Sequence, residues 1–582
     1  MPEQVSWKIG GQQGEGIESA GELLARGLMQ SGFHLYGYRV FSSRIRGGHT
    51  NYNLRISSEP TAAIADRIDL LIALDQETIG LCAGELREEG LIIADAQFAA
   101  TLPAGSRLHL ISAPLTEMAV QAGNAKMRNV VAVGLTAALL GQDSAGWQAP
   151  LQEAFEAKAG EVNEQNSRAF QAGWAYGKTL AAERASLLQL PAGDGIRRDY
   201  LTGNEAIAHG ALAAGVRFMS AYPITPASEI MEIMVKALPE RGGFMIQTED
   251  EIAACMMAIG ANYAGTRAFT ATSGPGFSLM VESIGLAAMT ETPLVVIDVQ
   301  RGGPSTGLPS KHEQSDIAAA CYATHGDAAK IVMVLDSAAT AAQDTMEAFN
   351  LADEYQCPVI LLSDMQLSSA NQTLELMQVG AELIKRGKLI KAGELPELPK
   401  NQYYKRYQVT ADGISPRVLP GTQNGIHHVT GLEHDETGRP AEATANRIAQ
   451  AEKRQRKLTT VVERFSEPVR VETPNAQAQL LLITIGGATG AVTEAATRLR
   501  QDGITVNQAQ IRLLQPFPSS LLQSLMDAAM QIVVVEHNAT AQLASLIQAH
   551  CRHPRPICSV LKYDGNPFRP AEIIARCREV LK

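Results

Sequence analysis

Tyr222-Pro223-Ile224-Thr225-Pro226-Ala227-Ser228-Glu229 decides how this chain is read. The largely apolar run 216–222 predicts a short strand. Pro223 and Pro226 then block both strand and helix, because proline lacks the backbone N–H and fixes φ. The outcome is a stiff loop that holds Thr225 in one place. Ser228 and Glu229 supply an N-cap and an acidic first turn for a helix over 229–237. A hydroxyl on a rigid loop just past a strand stands where open α/β sheets bind ligands. A purely structural proline turn would have the same spacing, so neighbouring stretches must decide between the two.

Two stretches further along the chain do so. One is Gln247-Thr248-Glu249-Asp250-Glu251-Ile252-Ala253-Ala254-Cys255-Met256-Met257-Ala258-Ile259-Gly260-Ala261. The other is Val295-Val296-Ile297-Asp298-Val299-Gln300-Arg301-Gly302-Gly303-Pro304-Ser305-Thr306-Gly307. A Tyr-Pro-Ile-Thr-Pro loop, a glutamate opening an Ala/Gly-rich helix and a strand ending in Arg-Gly-Gly-Pro, in this order, resemble the α chain of the 2-oxoacid:ferredoxin oxidoreductases. The resemblance covers nearly the whole chain, including an N-terminal domain similar to the family's γ chain. The chain most resembles the fused γ–α chain of the two-subunit 2-oxoglutarate enzymes.

The surrounding pattern is α/β. Strands are predicted near 218–222, 244–248, 267–272, 293–301, 329–335 and 357–364, with helices between most of them, as in a mostly parallel, doubly wound sheet. Thr225, Glu251 and Arg301 all fall at or just after strand ends, which can converge on one crevice. N-terminal to this lie strands near 5–10, 69–74, 91–94 and 108–112, an apolar helix over 127–140 and an amphipathic helix over 153–178. A Pro/Gly stretch, Gln189-Leu190-Pro191-Ala192-Gly193-Asp194-Gly195, marks a linker. C-terminal to it, 396–470 is rich in Pro, Lys, Tyr, Gly, His and Glu and reads as a long ordered connector ending in a charged helix over 441–457. Strands follow near 480–485, 505–513, 532–536 and 557–561. The expected fold is therefore three α/β domains. A γ-like, Rossmann-type domain spans 1–188, with a linker over 189–198. A thiamine-diphosphate domain of the pyrimidine-binding type spans 199–395, followed by the connector. A domain resembling the C-terminal domain of transketolase spans 471–582.

Composition sets the outer bounds. With 582 residues the chain has room for three or four domains. Apolar content of 45% beside 19% charged residues is ordinary globular chemistry. A net charge of −11 argues against a nucleic-acid protein, which shows a basic patch or stripe. No apolar run reaches the ~18 residues of a membrane span. Met-Pro-Glu-Gln-Val-Ser-Trp-Lys lacks the basic and apolar regions of a signal peptide, so a cytoplasmic location is expected. The seven cysteines are scattered and form no Cys-x-x-Cys pair. Iron–sulfur chemistry, if present, has to sit on another chain.

In the first domain a strand runs into Gly10-Gly11-Gln12-Gln13-Gly14-Glu15-Gly16-Ile17 and a helix, the arrangement that cradles phosphates. It is not a strict Gly-x-Gly-x-x-Gly, and no acid follows about twenty residues on, which disfavours a nicotinamide dinucleotide. Phe41-Ser42-Ser43-Arg44-Ile45-Arg46-Gly47-Gly48-His49 suits a phosphorylated ligand or a solvated basic turn. The resemblance favours coenzyme A here, with Gly11, Gly14, Gly16, Arg44 and Arg46 as candidate contacts. His427, His428 and His434 lack metal-ligand spacing and favour packing or surface roles; no metal site is expected on this chain.

The resemblance also implies roles. Glu251 would share a proton with N1′ of the thiamine pyrimidine, favouring the tautomer that activates the cofactor. Burial raises a carboxyl pKa and a helix N-terminus lowers it, so a poised donor is reasonable. That helix reads as apolar on nearly every face, hence buried. Tyr222, Pro223, Ile224, Ser273 and Gly274 would line the cofactor cleft. Arg301 offers a guanidinium fork for the carboxylate of a 2-oxoacid, and Thr225 a hydroxyl. The second carboxylate of 2-oxoglutarate needs a second cation: Lys311, His312 or a residue of a partner chain. The implied reaction is oxidative decarboxylation of the 2-oxoacid, with coenzyme A accepting the acyl group and ferredoxin the electrons. A β chain would supply the Mg²⁺–diphosphate site and a [4Fe–4S] cluster in an α₂β₂ assembly. Pyruvate or branched-chain substrates, a non-catalytic thiamine-fold scaffold and a nucleotide-dependent dehydrogenase remain the alternatives.

Overall fold

The computed structural model describes residues 4–41, 47–155, 160–184, 188, 190, 192–375, 383–391, 393–472 and 475–582. It divides into two compact units. One comprises Met1–Thr202, Ser369–Leu376 and Phe568–Ala571; the other comprises Gly203–Ser368, Met377–Pro567 and Glu572–Lys582.

The first unit is built on an eight-stranded sheet. Its strands run in the order His109–Ala113 (β6), Leu86–Asp95 (β5), Ile68–Ala73 (β4), Gln4–Gln12 (β1), His49–Ser57 (β3), His34–Val40 (β2), Ala370–Leu374 (β14) and Asp199–Thr202 (β7). From β1 to β6 the pairing is parallel, and from β1 through β3, β2 and β14 to β7 it is antiparallel. Trp7, Ile9, Leu24, Trp147 and Phe170 centre its core, and the helix Arg128–Leu139 is buried at all but its first residue. The strand at 199–202 therefore belongs to the first sheet and not, as the expected boundary had it, to the second domain. It has a partner only because β14, far along the chain, joins the same sheet. The helix expected over 153–178 has its described counterparts in Gln148–Phe155 and Gly160–Arg184, and residues 156–159 lie outside the described residues.

The second unit holds two sheets. The larger runs Leu513–Gln515 (β18), Ile331–Val334 (β12), Pro358–Asp364 (β13), Leu294–Gln300 (β11), Ala268–Thr272 (β10), Phe218–Ala221 (β8) and Phe244–Gln247 (β9). All pairs are parallel except β18 with β12. β11 and β13 are buried at every position, which explains their continuous apolar sequence. The smaller sheet runs Val469–Glu472 (β15), Val506–Ile511 (β17), Ala478–Thr484 (β16), Ala529–Glu536 (β19) and Cys558–Leu561 (β20). The strand expected over 505–513 thus divides between the two sheets. Arg512 sits at the break, with its guanidinium drawn to Asp344 and to the carbonyls of Ser466 (3.0 Å) and Glu467 (3.1 Å).

The connector is irregular until its helix, Thr444–Arg456. Its histidines are engaged in packing contacts. His427 Nε2 lies 3.3 Å from the Tyr263 hydroxyl, His428 Nε2 accepts from Arg439 Nε (3.2 Å), and His434 Nδ1 meets the Leu432 carbonyl (2.9 Å). Among the described residues no helix is long and apolar enough to cross a membrane.

Candidate active site

In the larger sheet of the second unit, β11, β10, β8 and β9 are neighbours. Their carboxyl ends deliver Arg301, Ser273, the Tyr222–Pro226 loop and Glu251 to one edge, where a doubly wound sheet binds ligands. The loop after β8 is held from below. The buried Asn204 amide donates to the Pro226 carbonyl (3.0 Å) and to Glu229 Oε2 (3.1 Å), and Ser228 N–H donates to the Ile224 carbonyl (3.1 Å). Tyr222 and Pro223 are exposed, while Ile224 is half-buried against the core. The helix that follows is Ser228–Ala237 and has no side-chain cap, so Ser228 does not play the N-cap role expected of it.

Arg301 links this loop to the next. Its Nη1 donates to the Thr225 carbonyl (2.7 Å) and its Nη2 to the Thr306 carbonyl (3.1 Å). The side chain is only 7% exposed, and its Nε has no hydrogen-bond partner. Burial pulls the guanidinium pKa down, and the charge of Asp316 opposes that shift.

Glu251 opens the helix Glu251–Tyr263, capped by Asp250, whose carboxylate accepts from Ala253 N–H (2.8 Å). Glu251 is buried and points at the first turn of the helix Gly274–Met289. A Cβ built on Gly276 would lie 2.6 Å from Glu251 Oε1 and 2.1 Å from Thr272 Oγ1, so only glycine fits there. On the other side of the same turn, a Cβ on Gly274 would lie 2.6 Å from Asp316 Oδ2. Ser273, fully buried between them, has an Oγ without a partner. Gly274 and Gly276 thus let two carboxyl groups close on one helix turn. The helix of Glu251 is not buried all round: Ile252 is 47% and Met256 41% exposed. Among the described residues nothing covers that apolar face.

Asp298 and Asp316 were not singled out from sequence. Asp298 is register partner to Thr272 across β11 and β10, is fully buried, and neither carboxyl oxygen has a hydrogen bond. Burial, then the charge of Asp316, pushes its pKa well up. Asp316 N–H is held by Gln300 Oε1 (3.0 Å), and burial with Glu313 lifts its carboxyl to about 6 against the pull of Arg301. An acid amid Val295-Val296-Ile297 and Val299 was a signal in the sequence.

Of the two candidate second cations, His312 must be corrected. It is fully buried, with Nδ1 3.6 Å from Asp364 Oδ1 and its ring 4.1 Å from that of His537. Burial lowers its pKa, so it is a neutral packing group. Lys311 is half-buried, its stem lying over Gly565, with no carboxylate within ion-pair distance among the described residues.

In the first unit a cleft of about 620 Å³ is walled by Gly14, Gly16, Asn124, Lys126 and Arg128. Gly14 and Gly16 adopt positive φ (98° and 74°), whereas Gly11 lies within β1, packed against Glu15, Ile17 and Leu74. Lys126 and Arg128 add cations that sequence reasoning missed, although Arg128 already meets Glu15 at 2.5 Å. The candidates Arg44 and Arg46 lie outside the described residues.

A sheet of this winding, with a buried glutamate and a stiff hydroxyl loop at adjacent strand ends, defines a thiamine-diphosphate-binding domain. Residues 209–454 match the family described as pyruvate flavodoxin/ferredoxin oxidoreductase, thiamine diphosphate-binding. Residues 6–176 match pyruvate ferredoxin/flavodoxin oxidoreductase, and 478–573 match pyruvate:ferredoxin oxidoreductase core domain II. The 2-oxoacid:ferredoxin oxidoreductase subunit alpha of Sulfolobus sp is 32% identical, over 100% of this chain and 97% of that one. The 2-oxoglutarate oxidoreductase subunit KorA of Mycobacterium tuberculosis is 31% identical, over 98% and 90%. The solved 2-oxoglutarate:ferredoxin oxidoreductase from Magnetococcus marinus, with 2-oxoglutarate, coenzyme A and succinyl-CoA bound, superposes with TM-score 0.92 at 34% identity, covering both chains fully. The chain belongs to the 2-oxoacid:ferredoxin oxidoreductases, as an alpha subunit.

Proposed function

We propose that this alpha subunit acts on 2-oxoglutarate, releasing CO₂ and forming succinyl-CoA while ferredoxin is reduced. The observation that carries the reading is the meeting of Thr225, Ser273, Glu251 and Arg301 at four adjacent strand ends, with Arg301 bonded to the Thr225 carbonyl. Thiamine diphosphate, when bound, supplies the nucleophilic carbon for decarboxylation. The residues present fit its pyrimidine side: a buried carboxyl at Glu251 and a bare, buried Ser273 hydroxyl beside it.

Glu251 holds a proton toward N1′ of the pyrimidine. Tyr222, Pro223, Ile224, Ser273 and Gly274 line that ring's side of the crevice. Arg301 and Thr225 receive the 2-oxo carboxylate. Lys311 is this chain's remaining candidate for the distal carboxylate, a residue of the partner chain being the other. The first unit's cleft, with Gly14, Gly16, Lys126 and Arg128, suits the phosphates of coenzyme A. Among the described residues no cluster of His, Cys, Asp or Glu could hold a metal ion. A beta subunit contributes the Mg²⁺–diphosphate site and the [4Fe–4S] cluster, in an α₂β₂ complex, as the family membership implies. The exposed apolar face of Ile252 and Met256, beside Glu251, suits burial under that subunit.

The test is viologen reduction by the chain co-purified with its partner, supplied with coenzyme A and either 2-oxoglutarate or pyruvate. Faster turnover with 2-oxoglutarate is expected. Preference for pyruvate, the substrate in the names of the matching families, would overturn the substrate and leave the site standing.

A further inference from the structure

The glycine turn of the first unit already holds an anion. Glu15 stands between Gly14 and Gly16, both at positive φ. Its side chain folds back over the turn, where Oε1 accepts from Arg128 Nη2 (2.5 Å) and Oε2 from the Gln12 N–H (3.0 Å). Gly11 permits this approach, since a Cβ there would lie 2.7 Å from Oε2. A guanidinium nitrogen and a turn N–H are the donors that a strand–turn–helix unit offers to a phosphate. The helix Ile17–Gln30 starts two residues after Glu15 without a side-chain cap, so its first N–H groups add to the same field.

Arg128, at the head of the helix Arg128–Leu139, also meets a second acid of different standing. Asp95 is 1% exposed, accepts from the Thr116 N–H (3.3 Å) and the Thr116 hydroxyl, and lies 3.5 Å from Arg128 Nη1. The Glu15 side chain is 29% exposed, and a Cβ built on Gly14 beside it would meet open space, so its carboxylate has somewhere to go. One face of the guanidinium thus has a fixed counter-ion and the other a removable one. With Asp95 in place, Arg128 keeps a partner after Glu15 leaves, and no buried charge is stranded. Asn129 Nδ2, donating to the Gly16 carbonyl (2.9 Å), keeps the two helix starts together independently of Glu15.

We propose that Glu15 is a resident anion in the phosphate subsite of this cleft, displaced when coenzyme A binds and returning as the acyl-CoA product leaves. A phosphate takes over the Arg128 Nη2 and Gln12 N–H contacts while Asp95 holds the guanidinium. Lys126, exposed on the same wall, adds charge for the incoming ligand. Binding is then an exchange of one anion for another. It lowers affinity by what the Glu15 contacts are worth, and the return of Glu15 speeds release.

This inference rests on the cleft taking the phosphates of coenzyme A, and the experiment separates the two claims. Coenzyme A is titrated calorimetrically into the assembled holoenzyme without 2-oxoglutarate, at low salt. Glu15→Gln keeps the shape and loses the charge. It is expected to bind about fivefold more tightly, the worth of a partly exposed ion pair, with the gain mainly in the dissociation rate. At about 1 M salt the difference narrows, because exposed charges are screened. Affinity in Glu15→Gln that is unchanged or weaker overturns the resident-anion role, since a purely structural bridge to Arg128 gives one or the other. Arg128→Gln and, at the exposed position, Lys126→Gln test the reading beneath it. Weaker binding in either of these, beside no gain in Glu15→Gln, sinks the resident anion alone. Unchanged affinity in both removes coenzyme A from the cleft, and the resident anion with it.

Discussion

The two ends of the helix Gly274–Met289 bury acids under opposite regimes. At its carboxyl end Glu291 is fully buried and saturated. Its oxygens accept from Lys453 Nζ (2.6 Å) and Lys457 Nζ (2.8 Å), both themselves buried, and Arg406 donates to its carbonyl (2.7 Å). At the amino end, about 24 Å away along the axis, Glu251 and Asp316 lie against the first turn, with Asp298 opposite Thr272 on the neighbouring strand, and both Asp298 oxygens and Asp316 Oδ2 have no partner. A carboxylate that anchors structure is given all the donors it can accept. Those at a ligand crevice are left with unused capacity, at a cost in stability that a ligand or a proton offsets.

The comparison predicts which end is catalytic. Glu251→Gln in the assembled complex is expected to lower kcat by about 10²–10⁴-fold, the range of a general acid–base contribution, while the complex still forms. Retained turnover would remove Glu251 from the reaction and reduce the chain to a scaffold for its partner. Loss of assembly without any intrinsic rate effect would move Glu251 to the structural side of the comparison.

Glu291→Ala should do the reverse. It leaves two ammonium groups buried together, a loss of about 3–5 kcal/mol in stability, read as a lower unfolding midpoint in urea. The direction of its pH dependence follows from its environment. Burial alone would raise the Glu291 pKa, but Lys457, Lys453 and Arg406 outweigh it and hold the carboxyl below its usual range. A depressed folded pKa contributes stability above the unfolded value of about 4.3, which is lost as pH falls through the folded value. The unaltered protein should therefore lose stability in acid more steeply than Glu291→Ala. Equal slopes would mean that the connector helix is held by packing, not by this triad.

How much of this was legible in the sequence follows the same division. Thr225, Glu251 and Arg301 each sit on a local feature, a proline loop, a helix start or a strand end, and their roles were drawn from the three motifs taken together in order; the Asp250 cap was not read. The Glu291 anchor was not, because its lysines lie 162 and 166 residues away and look like any charged helix. The same distance hid β14 and so misassigned 199–202. His312 was misjudged for a related reason: a histidine beside a substrate loop reads as a ligand until Asp364, ending β13, and His537, just past β19, are seen to enclose it. Asp298 was visible yet passed over, since one acid in an apolar strand has no local pattern to give it a role.

Asp298 yields the smallest effect and the sharpest contrast with Glu291. Its folded pKa is raised, by burial first and by Asp316 second, so above the unfolded value of about 3.9 the folded state retains a proton that the unfolded chain has lost. Its contribution is therefore unfavourable at neutral pH and diminishes in acid, the opposite slope to Glu291. Asp298→Asn, with the same shape and no charge to desolvate, should gain about 1 kcal/mol in urea unfolding at neutral pH and lose that advantage in acid. A destabilised variant would show that Asp298 is ionised and satisfied in the folded protein. In that case the amino end of the helix would be saturated like its carboxyl end, and the distinction between them would rest on Glu251 and Arg301 alone.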